Sequence, residues 1–90
     1  MISETGGFAQ RFGRYLERVP EGREDTFEYC VGRGHNPKAV LGTLLYLENE
    51  EMTKAKAAEE SDTSTVSIRS NQKYILENDL LNLQNKGDEE

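Results

Sequence analysis

The most informative segment of the sequence is "AAEESDTSTVSIRSNQKYI", residues 57–75. Acidic side chains crowd its first third, and hydroxyl-bearing and aliphatic residues then lead to Arg69 and Lys73. The alanines at 57 and 58 are small enough for two helices to cross closely. Asp62 adopts the left-handed backbone conformation more readily than most residues. The stretch therefore predicts a helix-turn-helix, in which a short helix braces a second one.

Length and composition predict a single soluble domain. The chain has 90 residues, of which 34% are hydrophobic, and its net charge is -6. No apolar run approaches the ~20 residues of a membrane span, and the N-terminus lacks a basic-then-apolar export signal. We expect a cytoplasmic protein with one domain over residues 1–84, followed by a disordered acidic tail over 85–90.

Apolar periodicity predicts helices along the whole domain. Positions 8, 12, 15, 16 and 19 form one face of a first helix, and residues 23–31 form a second. Asn36 and Pro37 open a third, the most apolar, which should be central. Gly42 within it predicts a close approach by another helix. Thr53 and Ser64 are the expected N-caps of the fourth and fifth helices.

Three leucines near the C-terminus, Leu80, Leu81 and Leu83, have two interpretations. They are expected to pack back on the first helix. The alternative is that they form the seam of a homodimer.

The sequence gives little support for a catalytic or metal-binding site. Cys30 is the only cysteine and His35 the only histidine, so a zinc site is not expected. Cys30 fits a small buried thiol, and His35 fits a polar turn residue. A nucleophile–base dyad of these two is the one enzymatic alternative, and nothing else in the sequence supports it. We expect no enzyme and no cofactor.

Charge is distributed unevenly in this acidic chain. Residues 53–76 carry four basic side chains and three acidic ones, whereas the rest of the chain is net negative. The second helix of the predicted motif places Val66, Arg69, Ser70 and Lys73 on one face, and 68, 75 and 76 on another. The second helix is therefore expected to have a binding face and a distinct packing face. The alternative is that two short helices pack in a bundle with a solvated polar face.

The segments "GHNPKAVLGTLLYL" (34–47) and "TKAKAAEESDTSTVSIRSNQKYI" (53–75) resemble one cyclin-like repeat of archaeal transcription factor B and eukaryotic TFIIB. That repeat has a Gly-x-Ser-Pro start, an Ala-rich helix ending in Leu-Tyr, and a last helix with Val-Thr-Ile-Arg. The matching positions are Gly34, Pro37, Val40, Leu45, Tyr46, Thr53, Ala58, Glu59, Ser64, Val66, Ile68, Arg69 and Lys73. The resemblance implies a five-helix cyclin-like repeat that ends in a helix-turn-helix.

In that family the Val and Arg of the last helix contact promoter DNA in the major groove, which implies this role for Val66 and Arg69. Thr65 and Ser70 are further candidate base contacts. The candidate phosphate contacts are Lys54, Lys56, Ser64 and Lys73. The chain departs from the family pattern at Lys54, Ala57, Asp62, Thr63 and Gln72, and it has neither the family's zinc ribbon nor its second repeat.

These observations and the resemblance predict a small DNA-binding transcriptional regulator, archaeal or from an archaeal virus or plasmid, that acts on double-stranded DNA as a homodimer. The alternative is a protein-binding adaptor that docks on the transcription machinery or another basic partner without contacting DNA. A continuous positive strip through Lys54, Lys56, Arg69 and Lys73 would favour DNA. A neutral apolar groove along Phe8, Phe12 and Tyr15 would favour a partner helix.

Overall fold

A computed structural model describes residues 10–81, which form five α-helices and no β-strand. The helices are α1, which includes residues 10–16, α2 Glu24–Gly32, α3 Pro37–Glu48, α4 Lys54–Ser61 and α5 Thr65–Glu77. The predicted all-α class is confirmed. Phe8, Leu83, the N-terminal part of the predicted 1–84 domain and the tail 85–90 lie outside the described residues. None of the helices within 10–81 combines the length and apolar character needed to cross a bilayer.

The predicted helix starts are confirmed by the capping hydrogen bonds. The Asn36 side chain accepts from the Lys38 N–H at 2.8 Å, and Pro37 occupies the first helical position. The Thr53 hydroxyl accepts from the Lys56 N–H at 3.1 Å. Each cap satisfies a backbone donor that has no partner within the helix, which fixes where α3 and α4 begin.

α3 is the central helix, as its apolar sequence predicts. It contacts α2, α4 and α5. The main core joins α2 and α3 to Ile75 of α5, to Val19 in the segment after α1 and to Leu80 in the segment after α5. Its buried members are Val19, Phe27, Cys30, Val40, Leu41, Leu44, Ile75 and Leu80.

A second, smaller core joins α4 to α5 and to the end of α3. It consists of Ala57, Ala58 and Ile68, with Tyr46 and Met52 packed against it. Because alanines extend only one carbon from the backbone, α4 can lie close to its neighbours. The small crossing predicted for residues 57 and 58 is therefore confirmed.

The chain after α5 folds back on the body of the domain. Leu80 is buried beside Val19 and Phe27, and its carbonyl accepts a hydrogen bond from the Thr26 hydroxyl at 2.7 Å. Leu81 packs against the same core. Inward packing is confirmed for both leucines, and Leu80 is not available to a dimer seam.

One predicted core position is wrong. The sequence pattern predicts Leu76 on the packing face of the last helix, but the residue is 52% exposed. The buried face of α5 runs through Ile68, Asn71 and Ile75. At 3.6 residues per turn, position 76 lies about 100° beyond Ile75, which carries its side chain out to solvent.

Candidate functional site

The turn between α4 and α5 consists of residues 62–64 and reverses the chain by a left-handed step. Asp62 has φ 59° and ψ 48°, as the sequence predicts. The N–H groups of Asp62 and Thr63 donate to the carbonyls of Glu59 (3.3 Å) and Ala58 (2.9 Å). These two bonds close the last turn of α4 in the Schellman pattern, where glycine is the commoner residue. Three residues are therefore enough to start α5.

The first turn of α5 is fixed by Ser64. Its hydroxyl oxygen accepts from the Ser67 N–H at 3.1 Å, and its O–H donates to the Ser67 hydroxyl at 3.1 Å. Ser64 is exposed, but its hydroxyl makes both of these hydrogen bonds. A contact between this hydroxyl and a phosphate would therefore compete with the capping of α5.

α5 is braced from behind by α3. The Ile68 side chain is fully buried, and its Cδ1 lies close to the backbone of α3 at Gly42. A Cβ added at Gly42 would overlap the Ser61 hydroxyl oxygen, so α4 also meets α3 at this glycine. The close approach predicted from Gly42 is confirmed.

A polar contact that the sequence did not predict holds the middle of α5. The Asn71 amide N–H₂ donates to the Ser67 carbonyl at 2.9 Å, which turns its oxygen toward His35 Nδ1 at 3.1 Å. Because an amide oxygen only accepts, a hydrogen bond at this distance requires the tautomer of His35 that has its proton on Nδ1. The His35 ring also packs on Tyr74, with centroids 4.3 Å apart. His35 is therefore a packing residue as well as a turn residue.

The opposite face of α5 is open to solvent and carries all the predicted base contacts. Val66 is 73% exposed, and Thr65, Arg69 and Ser70 are exposed with it. Lys73 follows one turn after Arg69 on the same face. Within residues 10–81, neither Arg69 nor Lys73 has a hydrogen bond, ion pair or ring contact. The structure thus separates the two faces of α5 at every predicted position except Leu76.

The other predicted phosphate contacts are engaged elsewhere. The Lys54 ammonium lies 5.1 Å from the centroid of the Tyr46 ring, a cation–π distance. The Lys56 ammonium lies 3.3 Å from a carboxylate oxygen of Glu60, one turn along α4. The continuous positive strip considered from the sequence is therefore interrupted, and the two of its four cations without a partner in the described part of the chain, Arg69 and Lys73, are on α5.

Two of the three residues of the apolar groove considered along α1 lie in the described part of the chain, and Phe8 lies outside it. Phe12 and Tyr15 are partly buried against the main core, where their rings lie 6.5 and 6.3 Å from that of Phe27. A different groove of about 690 Å³ lies between the end of α3, the start of α4 and the middle of α5. Its lining is Tyr46, Leu47, Asn49, Glu50, Met52, Thr53, Lys54 and Gln72.

Cys30 shows the environment of a structural thiol. It is fully buried in the main core, and burial raises the pKa of the thiol to about 11. Since the thiolate is the nucleophilic form, this shift is the reverse of activation. His35 Nδ1 faces Asn71, and no group of three His, Cys, Asp or Glu side chains within 10–81 could hold a metal ion.

The buried thiol gives a prediction about reactivity and alkaline stability. A disulfide reagent at pH 8 should label Cys30 rapidly in urea and very slowly in the folded protein. Because the pKa of the folded thiol lies above the ordinary 9.0, its stabilising effect is complete below pH 9 and is lost as pH rises through 11. The variant Cys30→Ala should lack this part of the alkaline destabilisation. Equal labelling rates with and without urea would contradict the assignment.

Comparison with protein families, with characterised proteins and with solved structures finds no match to this chain. The fold class follows from the helices themselves. The resemblance to a cyclin-like repeat of transcription factor B depends on the sequence segments 34–47 and 53–75 alone.

Proposed function

We propose that this chain is a small DNA-binding transcriptional regulator, related to one repeat of archaeal transcription factor B, and that α5 reads duplex DNA in the major groove. The observation that carries the proposal is the outward face of α5. Val66, Arg69, Ser70 and Lys73 stand on it, and the two cations have no partner within residues 10–81. A helix of this kind, braced by a shorter one across a tight turn, has the form of a recognition helix.

Each side chain on this face has a chemistry suited to a base edge or a phosphate. A guanidinium binds guanine O6 and N7 with two parallel hydrogen bonds, which suits Arg69. A branched aliphatic group contacts a thymine methyl, which suits Val66. Thr65 and Ser70 can exchange hydrogen bonds with either type of base pair. Lys73 would contact phosphate, orienting α5 without reading sequence.

The net charge of -6 disfavours general binding to polyanions, whereas residues 53–76 carry four basic and three acidic side chains, the most favourable balance in the chain for a contact with DNA. Lys54, Lys56, Arg69 and Lys73 together allow a log–log salt slope no steeper than about -4. A dimer bound to paired half-sites would add contacts that one small domain lacks. Sedimentation tests the dimer separately: a strict monomer of 10.2 kDa at high concentration removes it and leaves DNA binding in place.

The proposal is tested by fluorescence anisotropy with a pool of random-sequence duplexes of about 20 base pairs. We expect saturable binding at 50 mM salt that weakens with added salt, with a slope between about -2 and -4. Selection of bound duplexes should then enrich a short motif that contains guanine. An absence of duplex binding at 50 mM salt would overturn the proposal.

A second candidate function, the protein-binding adaptor, is favoured by the groove between α3, α4 and α5. The groove combines the apolar side chains of Tyr46, Leu47 and Met52 with polar ones. Leu76 does not line it, but it is exposed on α5 one helical turn after the lining residue Gln72. An adaptor should retain the same partner from lysate before and after nuclease digestion and lose it in Leu76→Glu. It should also bind no duplex. A DNA-binding regulator gives the opposite results.

A further inference from the structure

Two carboxylates at the end of α4 collect cations from three parts of the chain. One carboxylate oxygen of Glu60 lies 3.6 Å from a guanidinium nitrogen of Arg18, and the same nitrogen donates a hydrogen bond to the Glu60 backbone carbonyl at 2.8 Å. The other Glu60 oxygen lies 3.3 Å from the Lys56 ammonium. The Lys38 ammonium lies 3.0 Å from Asp62. The hydrogen bond to Asp62, together with its charge, raises the pKa of Lys38.

These cations come from separate segments, and the fold brings them to one place. Arg18 follows α1, Lys38 is in the first turn of α3, and Lys56 is on α4. All three converge on the last turn of α4 and on Asp62, two residues before the cap of α5. Because Asp62 precedes the cap of α5 by two residues, this cluster is next in the chain to the N-terminal end of the reading face, the end that a recognition helix points toward the bases.

The ion pairs are of a kind that phosphate can replace. The paired side chains are between 41% and 86% exposed, and exposed pairs contribute little to folding because water and salt screen them. A DNA phosphate carries one negative charge, as a carboxylate does, but duplex DNA places such a charge at about every 1.7 Å along its axis. An exchange of carboxylate for phosphate costs the fold little.

We propose that Glu60 and Asp62 hold Arg18, Lys38 and Lys56 as a latent phosphate-binding surface, and that the phosphates of duplex DNA displace the two carboxylates. The inference depends on the proposed DNA-binding function and extends its footprint beyond α4 and α5. It also gives Glu60 and Asp62 a role: by pairing with the three cations, they weaken non-specific binding of DNA to this surface.

The exchange has a signature in the salt dependence of binding. A free lysine that meets a phosphate causes the release of about 0.9 of a DNA counterion. A lysine that first breaks an ion pair with a carboxylate leaves that carboxylate free to bind a cation from solution. The net ion release falls, so the wild-type slope should be shallower than its number of contacting cations implies.

The test compares Glu60→Gln combined with Asp62→Asn against Glu59→Gln in the anisotropy titration. Asn tolerates the left-handed conformation at position 62, so the turn is kept. Glu59 is exposed on the same helix turn and has no ion pair or hydrogen bond through its side chain within residues 10–81. We expect the double variant to bind about tenfold more tightly at 50 mM salt, with a slope steeper by about 1 to 2. Glu59→Gln should change affinity less than about threefold and leave the slope unchanged.

A third substitution shows whether the freed cations make the contact. Asp62→Asn alone should show part of the double variant's gain in affinity. Adding Lys38→Met to it should cancel that gain and return the salt slope to the wild-type value. Thermal melting confirms that each variant is folded. If the wild type binds through Arg69 but the double variant behaves like Glu59→Gln, this inference is overturned and the proposed function stands. If no variant binds duplex, both are overturned.

Discussion

Replacing Arg69 by alanine should weaken binding to the selected duplex by roughly 10- to 100-fold. A bidentate arginine–guanine contact contributes about 1–3 kcal/mol of discrimination between bases, and about 1.4 kcal/mol corresponds to tenfold. The substitution should leave the fold intact, because the Arg69 side chain is exposed and has no protein partner within residues 10–81. Anisotropy with selected and scrambled duplexes measures the effect. The loss should be larger for the selected duplex.

Two matched variants separate base reading from charge. Arg33→Ala removes the same charge from an exposed residue of another segment, where the guanidinium stacks 4.6 Å from the Tyr29 ring, and should change affinity less than about twofold. Arg69→Lys keeps the charge but loses the paired hydrogen bonds, so it should retain non-specific binding and lose discrimination. Equal losses in Arg33→Ala and Arg69→Ala would show that α5 does not read bases.

Replacing Gly42 by alanine should lower the free energy of unfolding by about 1–3 kcal/mol, the usual cost of overpacking a core. The added methyl group would overlap the Ser61 hydroxyl oxygen and press on Ile68. Ser61 is buried and donates to the Ala57 carbonyl at 2.7 Å, so its side chain cannot move away freely. In a domain of this size each kcal/mol corresponds to about 4–8 °C in Tm. Thermal denaturation by circular dichroism measures the change.

Gly13 provides the control, because it lies in α1 and a Cβ added there meets no atom of the described residues within 4 Å. Gly13→Ala should stabilise the protein by up to about 1 kcal/mol, the difference in helix propensity between the two residues. Adding Ser61→Ala should recover part of the stability lost in Gly42→Ala, since it removes the closest atom. If alanine stabilises the protein equally at both glycines, the close crossing of α3 and α4 is wrong.

The helix boundaries could be predicted from the sequence because each depends on a few neighbouring residues. Asn36, Thr53 and Ser64 cap helices within two or three residues of themselves. The left-handed conformation of Asp62 is equally local, because its backbone hydrogen bonds are with the last turn of α4. Gly42 predicted a close approach, although the sequence did not say which residue would approach.

The contacts between distant segments could not be predicted in the same way. Arg18 and Glu60 are 42 positions apart, and Lys38 and Asp62 are 24 apart. Their pairing depends on how α3 and α4 are placed, which no local pattern records. The pair that interrupts the positive strip is different, because Lys56 and Glu60 are four residues apart on α4, a spacing that is visible in the sequence. Leu76 was misassigned because a helical period fixes relative angles and not the width of the buried face.

The most direct test of the account is an NMR titration of the isotopically labelled protein with a selected duplex. We predict that the largest shifts fall on the exposed face of α5, including the Val66 methyl groups, while those of buried Val40 change little. Shifts confined to the groove at Tyr46 and Met52, or no shifts at saturating duplex, would contradict the proposal that α5 reads DNA.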